Sequence, residues 1–433
     1  MIQASSRICR LVFHALLWTA VPGAVARAAD PADHEFGGHL KVRGGYQRFP
    51  DNSLIEDFAG DSATDLSTEL RLKFSADRGR WDFKADGQAI YLYGETVEYT
   101  RQLAAQAPGF EDLFGGLPGD DRRWWDLTNT VEDEGKRAAI LRGDRLSVGY
   151  TSPTASLRFG RQAISWGNGL IFTPMDIVNP FDPYQVDTEY KAGDDMLYGQ
   201  YLFGSGNDIQ SAYVVRRNPQ TGDVESDQAT FAAKYHGVAG VTEFDVLGAQ
   251  NYGEALFGIG GGRDVGGAVW RSDLVFSDTE TEGIVTEFVI NASYSWVWGG
   301  KNVSGSAEYF FNGFGQHDSC YTPACLAANP ELLDRIARRQ LFTLGRNYLA
   351  GSLLIEWTPL FTLTPNLFWN INDSSARFQL VPQYSLGDNL VLLGALNLPL
   401  GPKGTEYGGI ETDVPGVYLA TDLAAFLQIG WYF

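Results

Sequence analysis

From residue 40 to the end, the chain alternates apolar and polar positions over segments of about ten residues, separated by turns or loops. In the first segment Leu40, Val42, Gly44 and Tyr46 share one parity, and Lys41, Arg43 and Gln47 the other. In Leu66–Ala76, Leu70, Leu72 and Phe74 alternate with Glu69, Arg71 and Lys73. After the tight Asp77-Arg78-Gly79-Arg80 turn, Trp81–Tyr93 places Trp81, Phe83, Ala85 and Tyr91 against Asp82, Lys84, Asp86 and Gln88. Successive strand residues point to opposite faces, so each segment has one apolar and one charged side. A charge at every second position is costly in the core of a soluble sheet. It suits a closed wall with lipid outside and water inside.

The same alternation predicts strands near 141–150, 155–164, 195–203, 209–217, 227–236, 242–250, 254–261, 265–276, 284–297, 303–312, 348–357, 361–371, 376–386, 390–398 and 418–433. The expected fold is therefore all-β: an antiparallel transmembrane barrel of about eighteen strands, or sixteen if Gly253–Asp264 is a single loop. Short turns at Ser152–Thr154, Gly204–Asp208, Gly299–Asn302, Thr358–Leu360 and Gly387–Asn389 fall on one side. Gly94–Ala139, Ser165–Asp194, Asn312–Asn347 and Pro399–Val417 are long connections, which in barrels gather outside the cell or fold into the lumen. Pro365 and Pro382 lack a donor for the ladder, so a bulge or kink is expected at each. Pro330–Arg339 is the one convincing amphipathic helix.

The two ends sharpen this. Leu423, Ala425, Leu427, Ile429, Trp431 and Phe433 form one apolar face that finishes on a terminal aromatic. This ending resembles the C-terminal signature strand of Gram-negative outer-membrane β-barrels. At the other end Arg7 and Arg10 precede an apolar run, Leu11–Val21, followed by Pro22, Gly23 and small-x-small sites ending at Ala26 and Ala28. That pattern predicts a secretory signal peptide over 1–28 and one barrel domain over 29–433. An even strand number then puts both termini in the periplasm.

Composition narrows the function. The formal net charge is −20, and losing Arg7, Arg10 and Arg27 with the leader makes the balance more acidic, which opposes nucleic-acid binding. The remaining cysteines, Cys320 and Cys325, enclose a Pro in a secreted chain and are expected to form a disulfide rather than a metal site. His34, His39, His236 and His317 stand apart, with no hydrolase or acyltransferase motif around them. Neither an enzyme, nor a cofactor, nor a metal is expected.

The richest stretch is Leu157–Pro183, LRFGRQAISWGNGLIFTPMDIVNPFDP. It starts as a strand and then loses alternation, with Gly167 and Gly169 permitting sharp turns and Pro174, Pro180 and Pro183 stiffening the remainder. Asp176, Asp182, Asp187, Glu189, Asp194 and Asp195 run along and beyond it. Lys41, Arg43, Arg71, Lys73, Lys84, Arg145 and Arg158 have inward parity on the first five strands. If the loop enters the lumen, acids face bases across a constriction and select solutes by size and charge. If it stays outside, Glu69, Asp82 and Asp86 pair with the bases instead. Arg161 shares the lipid-facing parity of Phe159, so either a bulge near Gly160 turns it inward or it snorkels at the interface.

GRQAISWG resembles the G-R-Q-x-x-x-[WY]-G signature of porin-like barrels, notably the alginate-export type. The resemblance implies a channel for solutes or polymers. An exporter of an acidic polysaccharide is expected to line its pore with positive charge, and acids crowd this inner loop instead. The leading expectation is a porin-like channel for small polar solutes, bounded by outer-membrane lipid. The alternative is a sheath or export channel for a partner protein or polymer. A homo-oligomer or a periplasmic partner stays open.

Overall fold

The structure, a computed structural model, describes residues 33–106 and 116–433; the expected signal peptide lies outside them. Among the described residues nineteen strands form one antiparallel sheet. Eighteen close a barrel: β1 (Asp33–Arg48), β2 (Ser62–Arg78), β3 (Trp81–Gly94), β4 (Arg137–Thr151), β5 (Ala155–Gln162), β6 (Asp194–Leu202), β7 (Asp208–Val214), β8 (Thr230–Ala239) and β9 (Thr242–Asn251). The circuit continues with β10 (Glu254–Val265), β11 (Ala268–Thr279), β12 (Gly283–Trp298), β13 (Lys301–Asn312), β14 (Asn347–Thr358), β15 (Phe361–Asn370), β16 (Ser375–Gly387), β17 (Leu390–Leu400) and β18 (Leu423–Tyr432). β18 pairs with β1 from His39↔Tyr432 to Arg48↔Leu423, which leaves the barrel without an edge. Backbone bonds between Gly38 and Phe433, at 2.9 and 3.1 Å, finish the seam.

The apolar parity faces outward throughout. Trp81, Phe83, Leu157, Leu197, Tyr213, Leu427 and Trp431 are exposed, a surface that would aggregate in water and that lipid accommodates. No described helix is long and apolar enough to cross a membrane, so the strands are the spanning elements.

Two sequence expectations need correction. The Gly94–Ala139 connection contains a helix, Glu95–Gln106, and the nineteenth strand, Thr128–Glu134. That strand pairs with Arg137–Arg142 of β4, above the point where β5 pairs with Leu146–Thr151. It patches the wall where β5 stops early. Second, Pro365 and Pro382 keep their strands in register, facing Leu380 and Leu363; the register shifts lie at Glu356/Thr358 and Ser385/Gly387. Each ring costs a ladder bond without inserting a residue. Gly253–Asp264 is strand plus turn, as the eighteen-strand count expects, which removes the sixteen-strand alternative.

The interior is not simply water. Inward residues Val289, Phe310, Tyr348 and Phe368 are buried under a lid formed by 313–346, whose helices Pro323–Ala327 and Pro330–Ala337 supply Leu326 and Leu332. Met196, Ala212, Val214, Leu247 and Val275 are buried under Trp166, Met175, Ile177 and Val178 of the Ala163–Gly193 loop.

Candidate functional site

The loop Ala163–Gly193 enters the lumen and makes one circuit of its inner wall. Its launch depends on the GRQ motif. Gly160 has φ +124°, and a Cβ there would lie 2.1 Å from the Leu146 carbonyl oxygen, so a side chain is excluded. Beyond β5 the chain turns inward and meets the strands in barrel order. The Trp166 indole donates to Gln210 of β7 at 2.7 Å. Asn168 donates through its backbone N and its side chain to Asp273 of β11, at 2.6 and 2.7 Å. The backbone N–H groups of Leu170, Ile171 and Phe172 converge on Glu308 of β13, at 2.7, 3.1 and 2.6 Å. The Phe172 ring stacks 4.8 Å from Phe310.

Tyr184 then packs on Phe368 of β15, and its carbonyl accepts from Gln379 of β16 at 2.9 Å. Asp187 accepts from Lys41 of β1 and Gln428 of β18, both at 2.8 Å. Glu189 lies 2.8 Å from Lys41 and accepts from the Tyr432 hydroxyl at 2.9 Å. Tyr190 accepts from Lys73 of β2 at 2.8 Å, with the Arg71 guanidinium 4.1 Å from its ring centroid. Arg145 of β4 donates to the Lys191 carbonyl. An irregular backbone inside a barrel leaves donors without ladder partners, and the wall carboxylates Asp273 and Glu308 satisfy them.

The two ends of this belt are clasped together. Lys191 Nζ donates to the Ile164 carbonyl, to Ser165 Oγ at 3.1 Å, and to both oxygens of Asp176 at 2.6 and 2.7 Å. Burial pushes the Asp176 carboxyl up to about 6 and pulls the Lys191 ammonium down, the expected cost of a desolvated pair.

The expected constriction residues therefore divide. Asp182, Asp187 and Glu189 lie on the belt beside the lumen cavity. Asp176 is spent on the clasp. Asp194 opens β6 and is buried against Arg216 at 3.1 Å, and Asp195 has outward parity and pairs with Arg161 at 2.9 Å. Neither Asp194 nor Asp195 belongs to the loop: the parity count already put Asp195 on the strand, which begins one residue earlier still, at Asp194.

The wall bases are mostly neutralised. Arg71 meets Asp144 at 2.7 Å, Asp86 at 3.6 Å and Glu69 at 3.7 Å; Arg158 meets Asp82 at 3.0 Å; Arg145 meets Asp144 at 2.8 Å. Arg43 donates to Gln428 at 3.0 Å and lies over the Phe426 ring. Lys84 is exposed near the short-turn end. The two sequence alternatives thus hold together: the loop is inside, and wall acids still pair with wall bases.

Arg161 is explained by neither a bulge nor snorkelling, since β5 keeps an unbroken register with both neighbours. It is fully buried, with its guanidinium donating to Asp195 at 2.9 and 3.0 Å, Asp120 at 2.8 Å, Gly143 O at 3.1 Å and Trp125 O. Segment 119–127 covers it, and Trp124 and Trp125 of that segment pack on the outward Phe159, 6.1 and 5.6 Å away.

At the long-loop end Glu406 ties three segments together. It accepts from the Tyr348 hydroxyl at 2.6 Å, Asn370 at 2.7 Å and the Leu344 N–H at 2.9 Å, with Asp373 adding like charge. Burial outweighs these bonds and raises its carboxyl from 4.5 to about 7. The folded chain thus holds this proton more tightly than an unfolded chain, so stability at the mouth falls as pH rises between those values. Protection factors over 313–346 and 401–416, which divide out the base-catalysed intrinsic exchange rate, are expected to be lower at pH 8 than at pH 5.5. Glu406→Gln should abolish the difference, and an unchanged pH response in that variant would discard the assignment. Cys320 and Cys325 are joined by a disulfide inside this lid, with Cα atoms 5.8 Å apart.

The chain can be compared with solved structures. It aligns with a BenF-like porin from Pseudomonas fluorescens Pf-5 over 93% of its length and 98% of that chain, with a TM-score of 0.50 and 11% identity. The fold is that of an outer-membrane porin. Pseudomonas aeruginosa OccK9 (OpdG) aligns over 93% of this chain and 98% of that one, with a TM-score of 0.52 and 10% identity. Wzi, a carbohydrate-binding barrel involved in group 1 capsule assembly in Escherichia coli, aligns over 90% and 83%, with a TM-score of 0.51 and 11% identity. No protein-family model and no curated protein matches the sequence.

Parity counting missed the anchors Asp273 and Glu308, although both sit at inward positions two residues from a buried apolar side chain, Val275 and Phe310. An acid next to an apolar residue on an inward face was the available signal.

Proposed function

We propose that this chain is an outer-membrane channel through which small polar solutes diffuse, without catalysis, its lumen narrowed by the Ala163–Gly193 loop. The observation that carries this reading is the belt: a loop pinned around the wall narrows the bore, and a cavity of about 690 Å3 remains between belt and wall. The short turns share one end with Phe433, which supports a periplasmic position for both termini. A threaded partner protein fits poorly, because the belt and the 313–346 lid already occupy the lumen.

Purified protein in a planar bilayer is expected to give discrete conductance steps with a mild cation preference. Asp182→Asn should reduce that preference, since Asp182 lines the cavity and its carboxylate, among the described residues, accepts one hydrogen bond, from the Tyr184 N–H at 2.8 Å. Asp176→Asn should instead act through the clasp and make the current noisier. A silent bilayer would overturn the channel.

A further inference from the structure

The lumen cavity has a chemistry of its own. Its lining includes four carboxylates, Asp176, Asp182, Asp187 and Glu189, and no basic residue. Yet each acid has a base behind it. Lys191 holds Asp176, Lys41 bridges Asp187 and Glu189, Arg43 lies within electrostatic reach of Asp187, and Arg377 within reach of Asp182. The surface thus presents acceptor oxygens while the site as a whole is balanced in charge. An anion meets no cationic donor there, and a cation meets carboxylates whose charge is largely answered, which leaves enough for a mild preference in transit but not for a cation site.

Amides complete the lining. Gln379 and Asn366 are joined at 2.9 Å, Gln428 is held by Asp187, and the exposed Gln383 side chain makes no hydrogen bond among the described residues. Amides both donate and accept, as hydroxyl groups do. Between them sit apolar patches from Phe181, Val391 and Leu393. Alternating apolar and two-way hydrogen-bonding surface matches a molecule with C–H faces and a rim of hydroxyls. The volume, about 690 Å3, is that of a small-molecule site.

We infer that the cavity between the belt and strands β14–β18 is a binding site for a neutral saccharide. The inference deepens the channel reading and rests on it for transport, whereas binding itself can be measured without current. Saturation-transfer NMR on the barrel in micelles should show transfer to maltose, and none to gluconate or choline at the same concentration. In a conducting protein, maltose should also interrupt the current. Gln383→Ala should weaken maltose binding about tenfold, and Gln383→Trp, which fills the cavity from an exposed position, should abolish it. Heat-modifiable migration on gels checks that each variant is folded.

Transfer to choline or gluconate equal to that for maltose would overturn the assignment, because the site would then select by charge or not at all. So would the absence of maltose transfer in folded protein, and so would unchanged maltose binding in folded Gln383→Trp. Maltose binding in a barrel that never conducts would overturn the channel and leave the saccharide site standing.

Discussion

Replacing Arg161 with leucine is expected to destabilise the barrel by about 3–5 kcal/mol, the cost of removing one partner from a buried ionic cluster. Arg161, Asp120 and Asp195 are all nearly or fully buried, so Arg161→Leu leaves Asp195 without its cationic partner and Asp120 with Arg123 alone. It also orphans the carbonyls of Gly143 and Trp125. Leucine satisfies the lipid-facing parity of the position, so a simple hydropathy argument predicts the opposite sign. Lysine should rescue only partly, because one ammonium cannot reproduce a planar fork with bonds to four groups. Urea unfolding in lipid vesicles, read by tryptophan fluorescence, measures the difference. A loss below about 1 kcal/mol would place the cluster in a wetter, weaker class of ion pair.

The second large effect concerns the bore. Replacing Trp166–Tyr190 with a short Gly/Ser linker is expected to raise single-channel conductance several-fold. The linker need not be long, because Lys191 Nζ lies 3.1 Å from Ser165 Oγ and the belt leaves and rejoins the wall at nearly one place. The strands keep their ladder partners without the belt, and β5 and β6 remain paired from Ala155↔Tyr201 to Gln162↔Asp194. Removal uncovers Met196, Val214, Leu247 and Val275 and takes from Glu308 and Asp273 the backbone donors of the belt, so lower stability should accompany the wider pore. Equal conductance in a folded variant would show that the lid over 313–346, rather than the belt, sets the limit.

Much of this was legible in the chain. Strict period two fixes register and face together, since a one-residue slip would turn every apolar side chain into water. Every expected strand therefore has a counterpart. The path of the belt was not legible, because irregular backbone has no period, and its partners are scattered wall residues such as Asp273 and Gln379. One signal was available and underused. Around Phe288-Val289-Ile290 both parities are apolar, which marks a strand covered on both faces. Val289 is indeed fully buried while Ile290 faces outward. Arg161 misled in the opposite way: parity gave its side correctly, but nothing local announced that 119–127 would cover it.

The belt also constrains the order in which the barrel can be made. Asp187 bonds Lys41 on the first strand and Gln428 on the last through the same carboxylate oxygen, and Glu189 reaches Lys41 and Tyr432 in the same way. These bonds stitch the seam from inside. A cylinder zipped shut early would leave the loop to be threaded afterwards through a crowded mouth. Docking it while the sheet is still an open trough avoids that, and its two acids then present the first strand to the last as closure begins.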